Sequence, residues 1–201
     1  MKTKQSEANN ILKPLRKILS DLAIQDSEFE IISEKIEIIE LKKNEVFCSK
    51  GKKCKYLGFL FEGLLMAHYD IEEKDFNVSR FFYLPKNILV TSFDSYRNQT
   101  NSIEEIVAIE ESKLACISLS NLEMLYDKIP ALNKSGRLFA EQSYINALER
   151  IHDLQSHNNE QRVKNFYNHN KDLYNRLPKT HIASYLGINR NDLSKIVSKI
   201  E

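Results

Sequence analysis

The stretch RLPKTHIASYLGINRNDLSKI, Arg176–Ile196, decides how the C-terminal part of the chain folds. Its apolar residues recur at spacings of three and four, the period of an amphipathic helix, in two short runs on either side of Gly187. Glycine accepts the positive φ that a tight turn requires, and Asn189 can cap the helix that follows. The pattern therefore predicts two short helices joined by a turn.

The two predicted helices have complementary inner faces. Small Ala183 lies where two steeply crossing helices must approach each other closely, which is typical of a helix-turn-helix. The inner positions are Ile182, Ala183 and Leu186 on the first helix, and Leu193, Ile196 and Val197 on the second. This arrangement leaves one polar and basic face of the second helix pointing outward.

The outward residues have the side chains that donate to base edges and phosphates in a major groove. We expect Arg190, Asn191 and Ser194 to reach bases, and the remaining predicted DNA contacts are Lys179, Thr180, Lys195, Ser198 and Lys199. The alternative is a terminal helical hairpin whose polar face is merely solvated. DNA binding is favoured because such a hairpin needs neither the turn glycine nor the small residue at this spacing.

The charge distribution supports DNA binding. From Asn159 onward the chain carries eight basic and four acidic residues, whereas the remainder carries 21 basic and 24 acidic ones. The basic excess therefore coincides with the predicted helix-turn-helix, although the whole chain has a net charge of only +1.

Composition indicates an ordinary globular protein of 201 residues, with 42% hydrophobic and 28% charged residues. No apolar run approaches the length of a membrane span, and the polar start Met1–Asn10 does not resemble a signal peptide. Cys48, Cys54 and Cys116 cannot all pair, which indicates a reducing, cytoplasmic setting.

The middle of the chain consists of short β-prone runs separated by turn residues, with Glu62-Gly63 as a hairpin signal. Closely spaced short strands predict an antiparallel barrel or sandwich, so the fold class is α+β. The runs are Ile38–Leu41, Val46–Cys48, Tyr56–Phe61, Leu64–Tyr69, Val78–Tyr83, Ile88–Val90, Ile103–Ile109 and Leu114–Ile117.

A long helix is predicted from Pro130 to about His157, with two apolar stripes. Two stripes imply two partners, the strand domain and a second subunit, although packing on the strand domain alone is the alternative. The stripes are Leu138, Ile145 and Leu148, and Ala140, Tyr144, Ala147, Ile151 and Leu154. The predicted domains are 1–129 (strands with N-terminal helices), 130–157 (connecting and dimerisation helix) and 158–201 (helix-turn-helix).

These features together resemble the Crp/Fnr family of transcription regulators. The resemblance is clearest at Arg176–Ile196, where Arg190–Lys195 stands at the family's recognition helix, with Lys195 where Arg is common. It also covers Glu45–Gly51 and Tyr56–Gly63, which look like the family's paired strands. The resemblance implies a jelly-roll domain like those that bind cyclic nucleotides, a homodimer and double-stranded DNA as partner.

The sequence departs from the cyclic-nucleotide binders of that family. Their Gly-Glu pair and following Arg align near Thr91-Ser92 and Asn101-Ser102, where no carboxylate or guanidinium stands. A buried phosphate without a cation would be poorly compensated. We therefore expect no cyclic nucleotide and leave open an unidentified small-molecule effector, with Arg80, Ser92, Arg97 and Ser102 as the candidate pocket.

Other chemistry is less well supported. Three cysteines do not match a four-cysteine iron–sulfur site, although the lysines around Cys54 could lower its pKa. His152 and His157 are five residues apart, which in one helix places them on different faces and argues against a metal site. No catalytic motif is recognisable, so we expect a transcription regulator and not an enzyme; the alternative is a sensing or interaction module whose helix-turn-helix does not bind DNA.

Overall fold

The structure is a computed structural model that describes residues 12–70, 77–85 and 89–200. Met1–Asn10, which the sequence marks as polar, and Ile88, at the start of one predicted strand, lie outside these residues. None of the described helices combines the length and the apolar character that a membrane span requires.

The short β-prone runs form strands within a few residues of their predicted bounds. In chain order these are β1 Glu37–Leu41, β2 Val46–Cys48, β3 Tyr56–Glu62, β4 Leu65–Asp70, β5 Asn77–Tyr83, β6 Leu89–Val90, β7 Glu105–Ala108 and β8 Ser112–Ser118. They make two four-stranded sheets with the orders β1-β8-β3-β6 and β2-β7-β4-β5. This order is that of a jelly roll, so among the described strands the fold is a pair of sheets and not a closed barrel.

The turn at Glu62-Gly63 is not a hairpin, contrary to the sequence prediction, because β3 and β4 belong to different sheets. Gly63 has φ 97°, and a Cβ there would collide with the Ser112 side chain and the Glu111 carbonyl. Glycine is therefore required by close packing at a crossing between sheets. A composition signal for a turn does not reveal which strands the turn connects.

The helices precede, interrupt and follow the strands. They are α1 Lys13–Asp21, α2 Asp26–Ser33, α3 Phe93–Asn98, α4 Leu119–Lys128, α5 Pro130–Ser156, α6 Asn159–His169, α7 Lys171–Arg176, α8 Lys179–Leu186 and α9 Arg190–Val197. The long helix α5 is confirmed, and Pro130 begins it because a proline fits the first helical position, where its missing N–H has no partner to lose. The sequence did not predict the short helix α3.

The chain divides into two compact units, the first comprising residues up to Met66 together with Phe82–Ala140, and the second comprising Ala67–Phe81 and Glu141–Glu201. In the first unit, α1, α2 and α4 pack their apolar faces with Phe59 and Ala115 of the first sheet. The predicted domain boundaries at residues 129 and 157 stay a prediction.

Helix α5 leaves both of its predicted apolar stripes exposed. Large side chains on it remain between 36% and 65% exposed, namely Leu138, Tyr144, Ile145, Leu148, Ile151 and Leu154. The expectation that one stripe packs on the strand domain and the other on a second subunit stays a prediction.

Candidate DNA-binding surface

The turn between α8 and α9 is built as the sequence predicts. Gly187 ends α8 with φ 68° and ψ 35°, which is left-handed backbone. The N–H of Ile188 donates to the Ala183 carbonyl at 3.0 Å, and that of Gly187 donates to Ser184 at 3.1 Å. These bonds satisfy the last carbonyls of α8 and turn the chain sharply toward α9.

Helix α9 begins at a capped N-terminus. The Asn189 side-chain oxygen accepts from the backbone N–H of Asp192 at 2.8 Å, and its amide donates to the Asp192 carboxylate at 2.6 Å. The predicted cap is therefore confirmed. The Asp192 carboxylate in the first turn of α9 is thus engaged with the Asn189 cap.

The inner faces of α8 and α9 form a small core with α6 and α7. Five of the six predicted inner residues are buried, and Ile196 is only partly buried. The nearly inaccessible side chains are Val163, Phe166, Leu173, Leu177, Ile182, Ala183, Leu186, Leu193 and Val197. This core fixes which side of α9 faces solvent.

The predicted base- and phosphate-contacting residues of α9 and the residues that follow it lie on that solvent side. All are exposed: Arg190, Asn191, Ser194, Lys195, Ser198 and Lys199. Ser194 and Ser198 donate to carbonyls of their own helical turn, at 3.2 and 3.0 Å. In the described part of the chain, none of the cations of this set forms an ion pair within 4.0 Å, unlike Arg176, which pairs with Asp172 at 2.9 Å.

The two predicted contacts at the start of α8 differ from each other. Thr180 is exposed. Lys179 is half-buried, with Nζ donating to the Tyr174 carbonyl at 2.8 Å and lying 3.0 Å from the Tyr174 ring centroid. A phosphate would have to compete with these contacts for Lys179, so this lysine is the least accessible of the predicted set.

Of the three candidate effector residues in the first unit, only two lie together. Ser92 and Ser102 are nearly fully buried, and their hydroxyl oxygens lie 2.9 Å apart. Arg97 is exposed and pairs with Glu123 at 2.7 Å. Arg80 is half-buried in β5, in the part of the chain that belongs to the second unit. The structure thus brings together the two serines and leaves Arg97 bound elsewhere.

The serines belong to a buried polar network that sequence reasoning did not find. Ser95 accepts from the Cys54 N–H at 2.8 Å and donates to the Thr100 carbonyl at 2.6 Å. Thr91 donates to the Tyr56 carbonyl at 3.0 Å. The one available signal was the density of Ser and Thr between residues 91 and 102. Each of these hydroxyls has a partner within the protein.

The three cysteines are free thiols and are buried. The pKa of Cys54 is lowered to about 6, chiefly by a hydrogen bond with Cys48, whose own pKa is raised. The sequence traced such a shift to the neighbouring lysines, but the causes are Cys48 and, after it, hydrogen bonds from Thr91 and backbone groups. Burial, at 1% exposure, keeps Cys54 from ready reaction with solutes.

The side chains of His152 and His157 lie close together. The expectation that their spacing places them on different faces of a helix is therefore wrong. Helix α5 ends at Ser156, and His157 follows directly, with its backbone N–H still bonded to the Asp153 carbonyl at 3.3 Å. The two rings lie 5.5 Å apart between centroids.

Comparisons with known proteins identify the fold. No protein-family model matches the sequence, and no curated protein matches it. Among solved structures, FixK2 from Bradyrhizobium japonicum superposes with a TM-score of 0.69 at 13% identity, covering 82% of this chain and 84% of that one.

Two further solved structures share this fold. A protein described as a transcriptional regulator of the Crp/Fnr family, from Eubacterium rectale, has a TM-score of 0.68 at 14% identity over 89% of this chain and 84% of its own. A cyclic nucleotide-binding domain containing protein from Listeria monocytogenes has a TM-score of 0.63 at 17% identity, covering 92% and 89%. The predicted likeness is confirmed at the level of the fold.

Proposed function

We propose that this chain, which has the fold of Crp/Fnr transcription regulators, is itself a homodimeric regulator that binds double-stranded DNA through α9. The observation that carries the proposal is the two-sided character of α9. Leu193 and Val197 are buried on one side, while Arg190, Asn191 and Lys195 are exposed on the other. A helix held firmly by its apolar face, with donors and cations on its open face, suits insertion into a major groove.

Position along α9 assigns a role to each exposed side chain. The N-terminal residues of a recognition helix contact base edges, so Arg190, Asn191 and Ser194 are the base-reading set. An arginine fork matches the acceptors of guanine, and an asparagine amide matches adenine. Lys195 and Lys199 lie further along the chain and supply positive charge for phosphates.

The exposed stripes of α5 supply the dimer contact. Large side chains from Leu138 to Leu154 stay in solvent in the single chain, at helical spacings that a second copy of α5 can match. Paired helices would present two copies of α9 roughly one DNA turn apart, about 34 Å. Such a dimer would read an operator with two-fold symmetry.

The buried network of the first unit argues against a cyclic-nucleotide effector. Ser92 and Ser102 satisfy each other, and Arg97 is already paired with Glu123. Among these residues, the one cation, Arg97, is already paired, so a cyclic phosphate would find no cation free to neutralise it. Burying a phosphate without a cation is costly. Titration calorimetry with cyclic AMP and cyclic GMP should therefore detect no binding, and saturable binding of either would overturn this part of the proposal.

The test of DNA binding compares one substitution on α9, at Arg190, with one just after the helix, at Lys199. Operators are first selected from random duplexes, and affinity is then measured by fluorescence anisotropy at several salt concentrations. Arg190→Ala should cost about 1–3 kcal/mol and relax preference at one base pair. Lys199→Ala should weaken all sequences alike and reduce the salt slope by about one.

Lys43→Ala is the matched control, because Lys43 is an exposed lysine of the first unit, distant in sequence from α9. It should leave affinity and salt slope unchanged. If both test substitutions behave like Lys43→Ala, α9 does not dock as proposed. Failure of the wild-type protein to retain any duplex selectively would favour an interaction module that does not bind DNA.

The dimer is tested separately by sedimentation. Ile151→Asp places a charge in an exposed apolar stripe and should shift the protein toward monomer. Glu149→Ala, two residues earlier in the same helix, removes a charge and should not shift the protein toward monomer. Sedimentation of the wild type as a monomer at all accessible concentrations would exclude the proposed contact.

A further inference from the structure

The junction between α5 and α6 gathers a cluster of metal-ligating side chains that DNA binding does not use. His152 and Asp153 lie near the C-terminal end of α5, and His157 follows that end at Ser156. One ligand atom from each of the three lies within 4.8 Å of the others. All three belong to the second compact unit, so their geometry is internal to that unit.

The local fold brings the side chains together. The backbone N–H of His157 still bonds to the Asp153 carbonyl at 3.3 Å, while Asn158 already caps α6 by accepting from the Gln161 N–H at 3.0 Å. His157 is thus fixed between the end of one helix and the start of the next. Its Nδ1 lies 2.9 Å from the Asp153 carboxylate, which orients both groups.

The spacing fits one shared ion. With zinc–nitrogen bonds of about 2.1 Å and tetrahedral angles, two bound imidazoles have centroids roughly 5 Å apart and ligand atoms roughly 3.4 Å apart. The observed centroid distance between His152 and His157 is 5.5 Å. The ligand atoms, within 4.8 Å of one another, need only small side-chain rotations to close on an ion.

The donor types select the class of ion. Two imidazoles with one carboxylate suit zinc and its neighbours in the first transition row, whereas magnesium and calcium prefer oxygen donors alone. We propose that His152, Asp153 and His157 form a binding site for a divalent transition-metal ion of the zinc class. Three protein ligands leave a fourth position for water.

The surroundings allow such a site. A cavity beside the cluster is lined by Leu148, Glu149, His152, Asp153, Asn165 and His169, so a coordinating water has access. Glu149 adds negative charge. Arg150 opposes the ion, but its guanidinium is already engaged with the Tyr185 carbonyl and lies 3.8 Å from the Tyr185 ring centroid.

A bound ion would tie the last turn of α5 to the residue that precedes the α6 cap. It would restrain the backbone between Ser156 and Asn158, which otherwise depends on a few hydrogen bonds. The ion would therefore stabilise the folded second unit, by an amount that grows with the logarithm of the ratio of ion concentration to Kd. This effect is independent of whether α9 binds DNA.

The test is titration calorimetry, in which zinc is added to the full chain. The protein is first freed of metal by chelation and is kept reduced. We expect one ion per chain in the wild type. His152→Ala and His157→Ala should each weaken zinc binding at least tenfold, since even outer-shell partners of a metal typically contribute about tenfold. The matched control His181→Ala removes a histidine of the same unit outside the cluster and should retain wild-type affinity.

Three results would overturn the site. One is unchanged zinc affinity in the double variant His152→Ala/His157→Ala. Another is equally tight binding of magnesium, which would show a non-selective acidic surface. The third is a thiolate charge-transfer band after cobalt substitution, which would place the ion on the cysteines. Zinc should also raise the unfolding temperature of the wild type and not that of the folded double variant.

Discussion

The polar residues of α9 and those around Ser102 are chemically alike, yet the first set is exposed to solvent and the second is buried. On α9 the serines, asparagine and cations are exposed, and Arg190 and Lys195 form no ion pair within 4.0 Å in the described part of the chain. Around Ser102 the hydroxyls are buried and bond to each other or to carbonyls. The exposed side chains of Arg190, Asn191 and Lys195 are available to a partner, whereas the satisfied buried hydroxyls maintain the fold.

The two regions lie in different units of the chain. In the first unit the hydroxyls around Ser102 are part of the internal structure. The second presents an unused polar face on a rigid support. Four substitutions and conditions test this contrast, beginning with the largest expected effect.

Leu193→Ala should destabilise the second unit most, by about 2–5 kcal/mol, because Leu193 is 1% exposed in the small core under α9. Ser194→Ala, the next residue on the exposed side, should change stability by less than about 0.5 kcal/mol. Urea unfolding followed by circular dichroism measures both. Equal effects would mean that α9 is not held by one face.

Ser102→Ala should cost about 1–3 kcal/mol, because it leaves the Glu104 N–H and carbonyl without their hydroxyl partner in a buried setting. Ser198→Ala removes a chemically similar hydroxyl from the exposed face and should be nearly neutral. Chemical denaturation of the two variants compares the regions directly. A neutral Ser102→Ala would indicate that the network is open to water and hence to a ligand.

Gly187→Ala should cost about 1–2 kcal/mol, because φ of 68° is unfavourable for a residue with a Cβ. The nearest atom to that Cβ would be 3.7 Å away, so backbone conformation and not collision sets the loss. Gly187→Asn should lose less, since asparagine tolerates left-handed backbone. Thermal unfolding ranks the three proteins, and an Asn variant worse than Ala would contradict this cause.

The smallest expected effect is a pH dependence from His181. Burial, and secondarily His68, lower its pKa from the ordinary value of 6.5. As pH falls below 6.5, the unfolded chain takes up a proton that the folded chain resists, so stability should decrease with falling pH in that window. His181→Gln should flatten the dependence in urea unfolding at successive pH values, and an unchanged slope would assign it to another group.

Local sequence was sufficient for the helix-turn-helix. Gly187, Asn189 and the apolar spacing act within a few residues of one another, so a pattern search finds them. Even there Ile196 is only partly buried and Lys179 is tied to Tyr174, because exact exposure depends on neighbours from other helices. The strands were also found, since alternation and turn residues are local signals.

Partnerships between distant residues were not predictable in the same way. The sequence by itself determined most of the elements, the α+β class with a C-terminal helix-turn-helix, and the polar face of α9, because backbone preference and periodicity act over short range. Only the tertiary structure decided that Gly63 crosses between sheets, that Ser92 meets Ser102 and that His157 turns back toward His152. Those contacts depend on the positions that packed elements take in three dimensions. The spacing of residues along the chain does not reveal these positions.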